Sequence, residues 1–153
     1  LRLQAAGLDS LPGGGAEVLH DEVRSQISPN KIKSREWLDV MRKAHEIGMK
    51  TTATMMMGSI DRPEHRLHHL REIRKLQDET GGFRAFIVWT YQPGHNELMG
   101  NKMSSLLYLK FLALARLYLD KKEMINLIAD AGRVPALRDT EYRLLDVYNS
   151  NND

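Results

Sequence analysis

The chain has 153 residues, a formal net charge of +2 and no cysteine. This length fits one domain, or a piece of one, and it is sufficient for a hydrophobic core. Lys and Arg are spread along the chain, which argues against nucleic acid as the main partner because phosphate binding needs clustered cations. No apolar run approaches the ~18 residues of a membrane span, and no secretory signal is visible. We therefore expect a cytoplasmic protein.

The lack of cysteine excludes disulfides, and it excludes every metal or iron–sulfur site that is held by thiolates. Residues 1–7 are typical of the last turn of a helix, which Gly7 closes. Because the beginning of that helix is missing, we expect the chain to be a fragment.

The first half of the chain predicts two strands and two helices. A short strand over residues 8–11 ends at a proline and three glycines, and a helix is expected over residues 16–27. A second helix begins with Ser34 as its N-cap and ends at Gly48, and the second strand covers Lys50–Met57. The apolar stripe of the second helix consists of Trp37, Val40, Met41, Ala44 and Ile47.

The second half predicts two more helices and one strand. Asp61 with Glu64 resembles a capping box, and the helix that it opens is expected to bury Leu67, Leu70, Ile73 and Leu76. A long helix begins at Ser104, and residues 133–153 predict one further weak helix. The expected stripe of the long helix contains Leu106, Leu109, Leu112, Ala113 and Leu117.

The third strand, over residues 83–91, fixes the expected architecture. Its apolar run shows little alternation, which is typical of a strand in a parallel sheet that is buried on both faces. Strands separated by helices indicate parallel pairing through right-handed crossovers. Three strands cannot close a barrel. We therefore predict an α/β fold that is either an incomplete barrel or a partial sheet completed by a partner chain.

The segment that follows the first strand is the first candidate site. It combines a glycine-rich loop, which includes Gly14 and Gly15, with Glu17 at the predicted start of a helix. Glycines allow a ligand to approach the backbone, a helix N-terminus offers N–H groups to an anion, and Glu17 could accept from an ammonium group. The alternative is a tight structural turn in which Glu17 only compensates the helix dipole.

Residues within the second strand and after the third strand are the second set of candidates. Thr54 or a neighbouring methionine could line a pocket, although core packing is the simpler role for the methionines. After the third strand, Gln92 and Pro93 precede His95 and Asn96 at the end where α/β barrels carry their chemistry. A purely structural loop is the alternative.

Three histidines follow one another closely in the fourth predicted helix. His65 and His69 are four residues apart and could share a metal, but no third ligand of the HExxH type follows them. A solvated helix face is the simpler interpretation, so we predict no metal site from the sequence.

Several of these segments together resemble a known family. The stretches LDSLPGGGAEVL, EWLDVMRKAHEIGMKTTATMMMG and LQDETGGFRAFIVW, followed by YQPG, are similar to the radical S-adenosylmethionine enzymes of the futalosine route to menaquinone. The match covers about residues 1–120. Within the family, Trp37, the TTATMM stretch and Trp89 favour the cyclase branch over its sister synthases.

The resemblance implies a TIM-type radical-SAM barrel, of which residues 1–120 are a later part and residues 121–153 a helical tail. It implies S-adenosylmethionine and a 4Fe-4S cluster as cofactors of the parent family, and a small nucleoside-derived substrate. Gly14, Gly15 and Glu17 would face S-adenosylmethionine, whereas Thr54, Gln92 and Pro93 would line the substrate cavity. No catalytic residue is assigned.

The chain also departs from the family pattern. The cysteine loop that holds the cluster is absent, and His95-Asn96 stands where the family usually has Asn-Thr. Residues 128–142 resemble the family's closing segment but follow the long helix directly, without the further barrel strands. We therefore expect the chain alone to be inactive. A cysteine-free scaffold that pairs its open sheet edges with another chain is the alternative.

Overall fold

A computed structural model describes residues 2–94, 98 and 103–119. The elements within these residues alternate between helices and strands in the way that the sequence predicts. In chain order they are α1 (Arg2–Ala5), β1 (Ser10–Leu11), α2 (Asp21–Ile27), α3 (Ser34–Glu46), β2 (Lys50–Met57), α4 (Pro63–Thr80), β3 (Phe83–Thr90) and α5 (Ser105–Leu119).

The described strands form one three-stranded sheet in the order β1-β2-β3. Both pairs are parallel, which confirms the predicted α/β class. Thr54 lies opposite Ile87, and Met56 lies opposite Trp89. Because neighbours in sequence are neighbours in the sheet, right-handed crossovers place all the connecting helices on the same face.

The hydrophobic core lies between that face of the sheet and the helices. Ala53, Met55 and Met57 of β2 and Phe86 and Val88 of β3 share it with buried side chains of the helices. Of the three methionines that the sequence assigned to core packing, Met55 and Met57 are fully buried, whereas Met56 is half-buried and lies outside the cluster.

Residues on the opposite side of the sheet lie outside the main hydrophobic cluster, although Thr54 and Ala85 are buried there. Side chains alternate along a strand, so the residues between the core positions point to this second side. We call it the uncovered face, and the hydrophobic core includes none of its residues. In register order these are Thr52 with Ala85, Thr54 with Ile87, and Met56 with Trp89.

Three predicted helix starts are wrong. Ser34, the expected N-cap, is the first residue of α3, and Lys33 is the N-cap. The helix expected over residues 16–27 begins only at Asp21, because the backbone before it runs beside β2, where the Met56 amide donates to the carbonyl of Glu17. The predicted capping box at Asp61 also fails. Helix α4 begins at Pro63 after an N-cap at Arg62, and Asp61 binds amides of the preceding loop instead.

The predicted buried stripes are right only in part. In α3, Trp37, Met41 and Ala44 are buried, whereas Val40 is 46% exposed. In α4, Leu67 is exposed although the other three leucine and isoleucine positions are buried. In α5 Leu112 is buried as predicted and Leu109 is half-buried, whereas Leu106, Ala113 and Leu117 are exposed. The buried residues of α5 are Tyr108, Phe111, Leu112, Ala115 and Leu119.

Residues 121–153, with the predicted helical tail, lie outside the described residues, as do His95 and Asn96. None of the helices within the described residues combines the length and the hydropathy that crossing a bilayer requires.

Candidate functional site

The glycine-rich loop after β1 is held along the edge of β2 by its own carbonyl groups. The carbonyl of Gly13 accepts from the hydroxyl of Thr54 at 2.6 Å, and that of Gly14 accepts from the indole nitrogen of Trp37 at 3.2 Å. The carbonyl of Glu17 accepts from the Met56 amide at 2.9 Å. The loop therefore presents a fixed backbone rather than a flexible turn.

Arg24 holds the two carbonyls in between. Its side chain is buried, and Nη1 donates to the carbonyl of Gly15 at 3.1 Å and to the carbonyl of Ala16. Nε of the same guanidinium donates to the carbonyl of Ile32 at 3.1 Å. Burial lowers the pKa of Arg24, with Asp21 and Glu17 opposing this effect, yet arginine remains charged at physiological pH. Five consecutive loop carbonyls are thus satisfied within the chain.

The amides of this loop remain available. No hydrogen bond among the described residues uses the N–H groups of Gly14 and Gly15, whereas the Gly13 amide donates to the Thr52 hydroxyl. An added Cβ at Gly14 or Gly15 would meet no atom within 4 Å, so open space lies beside both residues. The loop can therefore offer backbone donors to an anionic group without rearranging its carbonyls.

Glu17 occupies a strained position at the end of this loop. Its φ angle is +46°, which is uncommon for a residue with a side chain and is often found where a site needs a fixed geometry. Its carboxylate lies 2.5 Å from Nζ of Lys31, and the two side chains are 12% and 46% exposed. Glu17 therefore already binds an ammonium group, but from a lysine that solvent can reach.

Glu17 does not lie at a helix N-terminus, as the sequence predicted. It lies four positions before Asp21, the first residue of α2. Neither the anion site at a helix start nor the dipole-compensating turn describes this loop. Its donors are loop amides, and its conformation depends on contacts with Arg24, Thr54 and β2.

Thr54 lies within β2, and it is 4% exposed. Its hydroxyl is occupied by the Gly13 carbonyl at 2.6 Å. The described contact therefore makes Thr54 a residue that positions the glycine-rich loop. Direct contact with a substrate stays a prediction.

Gln92 and Pro93 follow the last residue of β3. They lie at the carboxyl edge of the sheet, where all three parallel strands end. Gln92 is exposed, and its amide Nε2 donates to the hydroxyl of Thr90 at 2.8 Å. Pro93 is half-buried. Because parallel strands share this edge, Gln92 and the glycine-rich loop lie at the same end of the sheet.

The histidines of α4 are not a solvated face, and that expectation is wrong. His65 and His69 are 4% and 0% exposed. Nδ1 of His69 accepts the Leu19 amide at 2.9 Å, and His68 Nδ1 lies 2.9 Å from the Leu19 carbonyl. Burial, with a smaller effect from Arg24, lowers the pKa of His69 to about 3. The local sequence could not predict these roles, because His68 and His69 lie about fifty positions after their partner Leu19.

Comparisons with known proteins identify the relatives of this chain. It is 37% identical to a cyclic dehypoxanthine futalosine synthase of Streptomyces coelicolor, over 96% of this chain and 49% of that protein. It is 48% identical to an aminodeoxyfutalosine synthase of Thermus thermophilus, over 77% of this chain and 33% of the relative. A 5-amino-6-(D-ribitylamino)uracil–L-tyrosine 4-hydroxyphenyl transferase of Methanococcus maripaludis is 42% identical over 76% of this chain and 34% of the relative. A search against models of known protein families finds no match.

The chain therefore resembles radical S-adenosylmethionine enzymes of the futalosine route, as the sequence motifs predicted. Among these enzymes it resembles cyclic dehypoxanthine futalosine synthase over nearly its whole length. The chain spans about half the length of that relative and about a third of the other two. The first alignment covers 196 residues, more than the 153 of this chain, so the relative has segments inside the aligned stretch that this chain lacks.

Proposed function

We propose that residues 1–120 form part of a radical-SAM barrel, with residues 121–153 as its tail, and that the barrel carries out a reaction like that of cyclic dehypoxanthine futalosine synthase. The parent reaction closes a ring in dehypoxanthine futalosine during menaquinone biosynthesis. The uncovered face carries this proposal. A sheet whose helices all lie on one side can bury its other side by closing on itself, and Ile87 and Trp89 are apolar residues that such closure would cover.

The residues of this chain fit S-adenosylmethionine but not the 4Fe-4S cluster, the other cofactor of the parent family. In the parent family a 4Fe-4S cluster held by cysteines supplies the electron that cleaves S-adenosylmethionine. This chain has no cysteine, so its residues do not fit the cluster, and cluster ligands would have to come from another polypeptide segment. The glycine-rich loop does fit the amino-acid end of S-adenosylmethionine, because it offers both amide donors and a carboxylate.

The proposed binding mode follows from the contacts of the loop. The amides of Gly14 and Gly15 would donate to the carboxylate of S-adenosylmethionine, and the carboxylate of Glu17 would accept its ammonium group. That ammonium would replace Nζ of Lys31, which is 46% exposed and can move into solvent at small cost. Arg24 and Thr54 would keep the loop in place during this exchange.

The substrate side of the proposal concerns Thr54, Gln92 and Pro93. Gln92 is exposed at the carboxyl edge and has amide groups that suit the hydroxyls and carbonyls of a nucleoside-derived substrate. Thr54 belongs to the uncovered face, which closure would turn into the wall of the cavity. Of these three residues, Gln92 is the most exposed.

The experiment supplies the missing part of the barrel from a relative. The chain is mixed anaerobically with a polypeptide that contains the cysteine-bearing half of the Streptomyces coelicolor relative, reconstituted with iron and sulfide. We expect cleavage of S-adenosylmethionine only in the mixture, and a loss of at least tenfold with Glu17→Gln. This chain reconstituted by itself should stay colourless and inactive. A brown product that cleaves S-adenosylmethionine from this chain alone would contradict the proposal.

Two alternatives have specific support. The higher identity to the aminodeoxyfutalosine synthase, 48%, favours a reaction of that sister type, and the product formed by the mixture distinguishes the two reactions.

The lack of cysteine favours a scaffold that pairs β3 with another chain, since within the described part of the sheet β3 pairs only with β2. Light scattering that shows a stable homodimer with a cooperative melt would support the scaffold.

A further inference from the structure

A second group of ligand-type side chains lies between the segment after the glycine-rich loop and the start of α4. His20, Glu22 and His65 each bring one nitrogen or oxygen atom within 4.8 Å of the others. The rings of His20 and His65 have centroids 4.5 Å apart, and the ring of His68 lies 5.2 Å from that of His20. Two imidazoles and a carboxylate are a common ligand set for divalent transition metals.

His20 is the least explained member of this group. Nδ1 of His20 is buried and has no hydrogen-bond partner among the described residues. The residue is the N-cap of α2, but its side chain makes no capping hydrogen bond. A buried ring nitrogen without a partner costs free energy unless something binds to it. A metal ion bound to this nitrogen would supply the missing partner.

The surroundings leave room for an ion. His20, Glu22 and His65 line a groove of about 570 Å³ together with His68 and Arg62. Ligand atoms around Zn²⁺ lie about 3.4 Å apart for metal–ligand bonds near 2.1 Å. The three side chains would therefore approach one another by about 1 Å. Glu22 is exposed and His20 half-buried, so both can make this adjustment.

One neighbouring group opposes a cation here. Nη2 of Arg62 lies 3.3 Å from Nε2 of His65, and the Arg62 amide donates to Nδ1 of the same ring at 3.1 Å. Ligation through Nε2 places the ring proton on Nδ1, so a metal bond would replace the bond from the Arg62 amide. The Arg62 side chain is 61% exposed and pairs with Glu64, so it can turn away.

We propose that His20, Glu22 and His65 bind a divalent transition metal ion, with His68 as the nearest further imidazole. The ion would tie the segment after the glycine-rich loop to the first turn of α4. This group contacts the helix layer, because Leu19, the residue before His20, is bound by His68 and His69 of α4. The proposed site is therefore separate from the uncovered face, and it does not depend on the function proposed above.

The test uses calorimetric titration of the 153-residue chain with Zn²⁺ alone, after removal of bound metal with a chelator. We expect one equivalent to bind with micromolar affinity or better. His20→Ala and Glu22→Gln should each weaken binding at least tenfold. Leu67→Ala is the matched control, since Leu67 is exposed and lines the same groove but has no ligand atom, and the affinity of this variant should stay within twofold. Arg62→Gln should tighten binding, because it removes the competing cation.

Circular dichroism of every variant shows whether it is folded, and His20→Ala is expected to fold because the side chain makes no capping bond. Co²⁺ in place of Zn²⁺ should give visible absorption bands that disappear with His20→Ala. The proposal is overturned by a folded chain that binds no Zn²⁺ at about 100 micromolar, because binding weaker than that would not indicate a specific site. Equal affinity of the wild type and His20→Ala, or weaker binding by Arg62→Gln, overturns it as well.

Discussion

At Gly13 the loop passes so close to β2 that only a hydrogen atom fits. A Cβ there would lie 1.8 Å from the backbone oxygen of Thr52, which cannot move without breaking the sheet. We expect Gly13→Ala to lower the free energy of unfolding by about 3 kcal/mol. Urea denaturation measures the change.

The neighbouring glycine supplies the control for that substitution. A Cβ at Gly14 would meet nothing within 4 Å. Gly14→Ala should change the free energy of unfolding by about 0.5 kcal/mol or less. If both substitutions destabilise the chain equally, the loop does not run along β2 as described.

His69 makes the stability of the chain depend on pH. Its folded-state pKa is about 3, against an ordinary value of 6.5, because the ring is buried and lies near Arg24 and His68. Below pH 6.5 the unfolded chain binds a proton that the folded chain does not, so stability is full above that pH and falls as the pH decreases. The expected slope for this residue is about 1.4 kcal/mol per pH unit between pH 6 and pH 4.

His69→Asn tests this pH dependence because asparagine offers an acceptor oxygen near the Leu19 amide and does not titrate. The variant should be less stable at pH 7 but should lose less stability between pH 7 and pH 5. Burial also lowers the pKa values of His20 and His45, so some pH dependence will persist in the variant. An unchanged slope would show that His69 titrates normally in the folded chain.

Between elements, the connection from β2 to α4 is organised by one carboxylate. The Asp61 side chain is fully buried, and Oδ1 accepts the amides of Gly58 and Ser59 at 2.7 and 2.8 Å. Oδ2 binds Nε of Arg66 at 2.5 Å, within the first turns of α4. The carboxylate therefore fixes both the end of the strand and the start of the helix.

Asp61→Ala would leave two loop amides and a largely buried arginine without their partner. We expect a loss of about 3 kcal/mol in the free energy of unfolding, and faster hydrogen exchange at Gly58 and Ser59. The matched control is Glu64→Gln, which changes an exposed carboxylate three positions further on and should alter stability by about 0.5 kcal/mol or less. Unchanged exchange at Gly58 and Ser59 in Asp61→Ala would contradict the role assigned to Asp61.

The elements also show which features local sequence predicts. Strand β2 was predicted with its observed bounds, and the break after α4 was predicted from Gly81, whose φ angle is +59°. The start of α2 was not, because the extended path of the residues before it depends on Arg24 and Met56, which are distant contacts. Helix α5 is apolar on nearly all sides, so its period could not reveal the buried side that Tyr108 marks.

For the candidate site, the sequence indicated the glycine-rich loop with Glu17, and Gln92 after the third strand. The binding roles of these residues stay predictions. Two features were missed: the ion pair of Glu17 with Lys31, and the buried Arg24 that holds the loop. Neither Lys31 nor Arg24 belongs to a motif. The group formed by His20, Glu22 and His65 was missed because the search for a third ligand stayed within α4.

On the scale of the whole molecule, the two sides of the sheet should respond differently to truncation. Phe86 and Ile87 are neighbours on β3. Phe86 is fully buried against the helices, whereas Ile87 is half-buried on the uncovered face. Phe86→Ala should cost about 4 kcal/mol in the free energy of unfolding. Ile87→Ala in the chain alone should cost only about 1 kcal/mol, since much of the side chain already contacts water.

Ile87 should matter more once the missing strands pair with the sheet. The effect should appear in the affinity of this chain for the second half of the barrel. If a cysteine-bearing half of a relative covers the uncovered face, Ile87 becomes a core residue of the closed barrel, and Ile87→Ala should weaken that association at least tenfold. The measurement is a titration of the chain with the second half, followed by the fluorescence of Trp89, whose side chain lies on the same face. A cost of Ile87→Ala that already equals that of Phe86→Ala in the chain alone would mean that this face is covered without further strands, and the barrel interpretation would then be wrong.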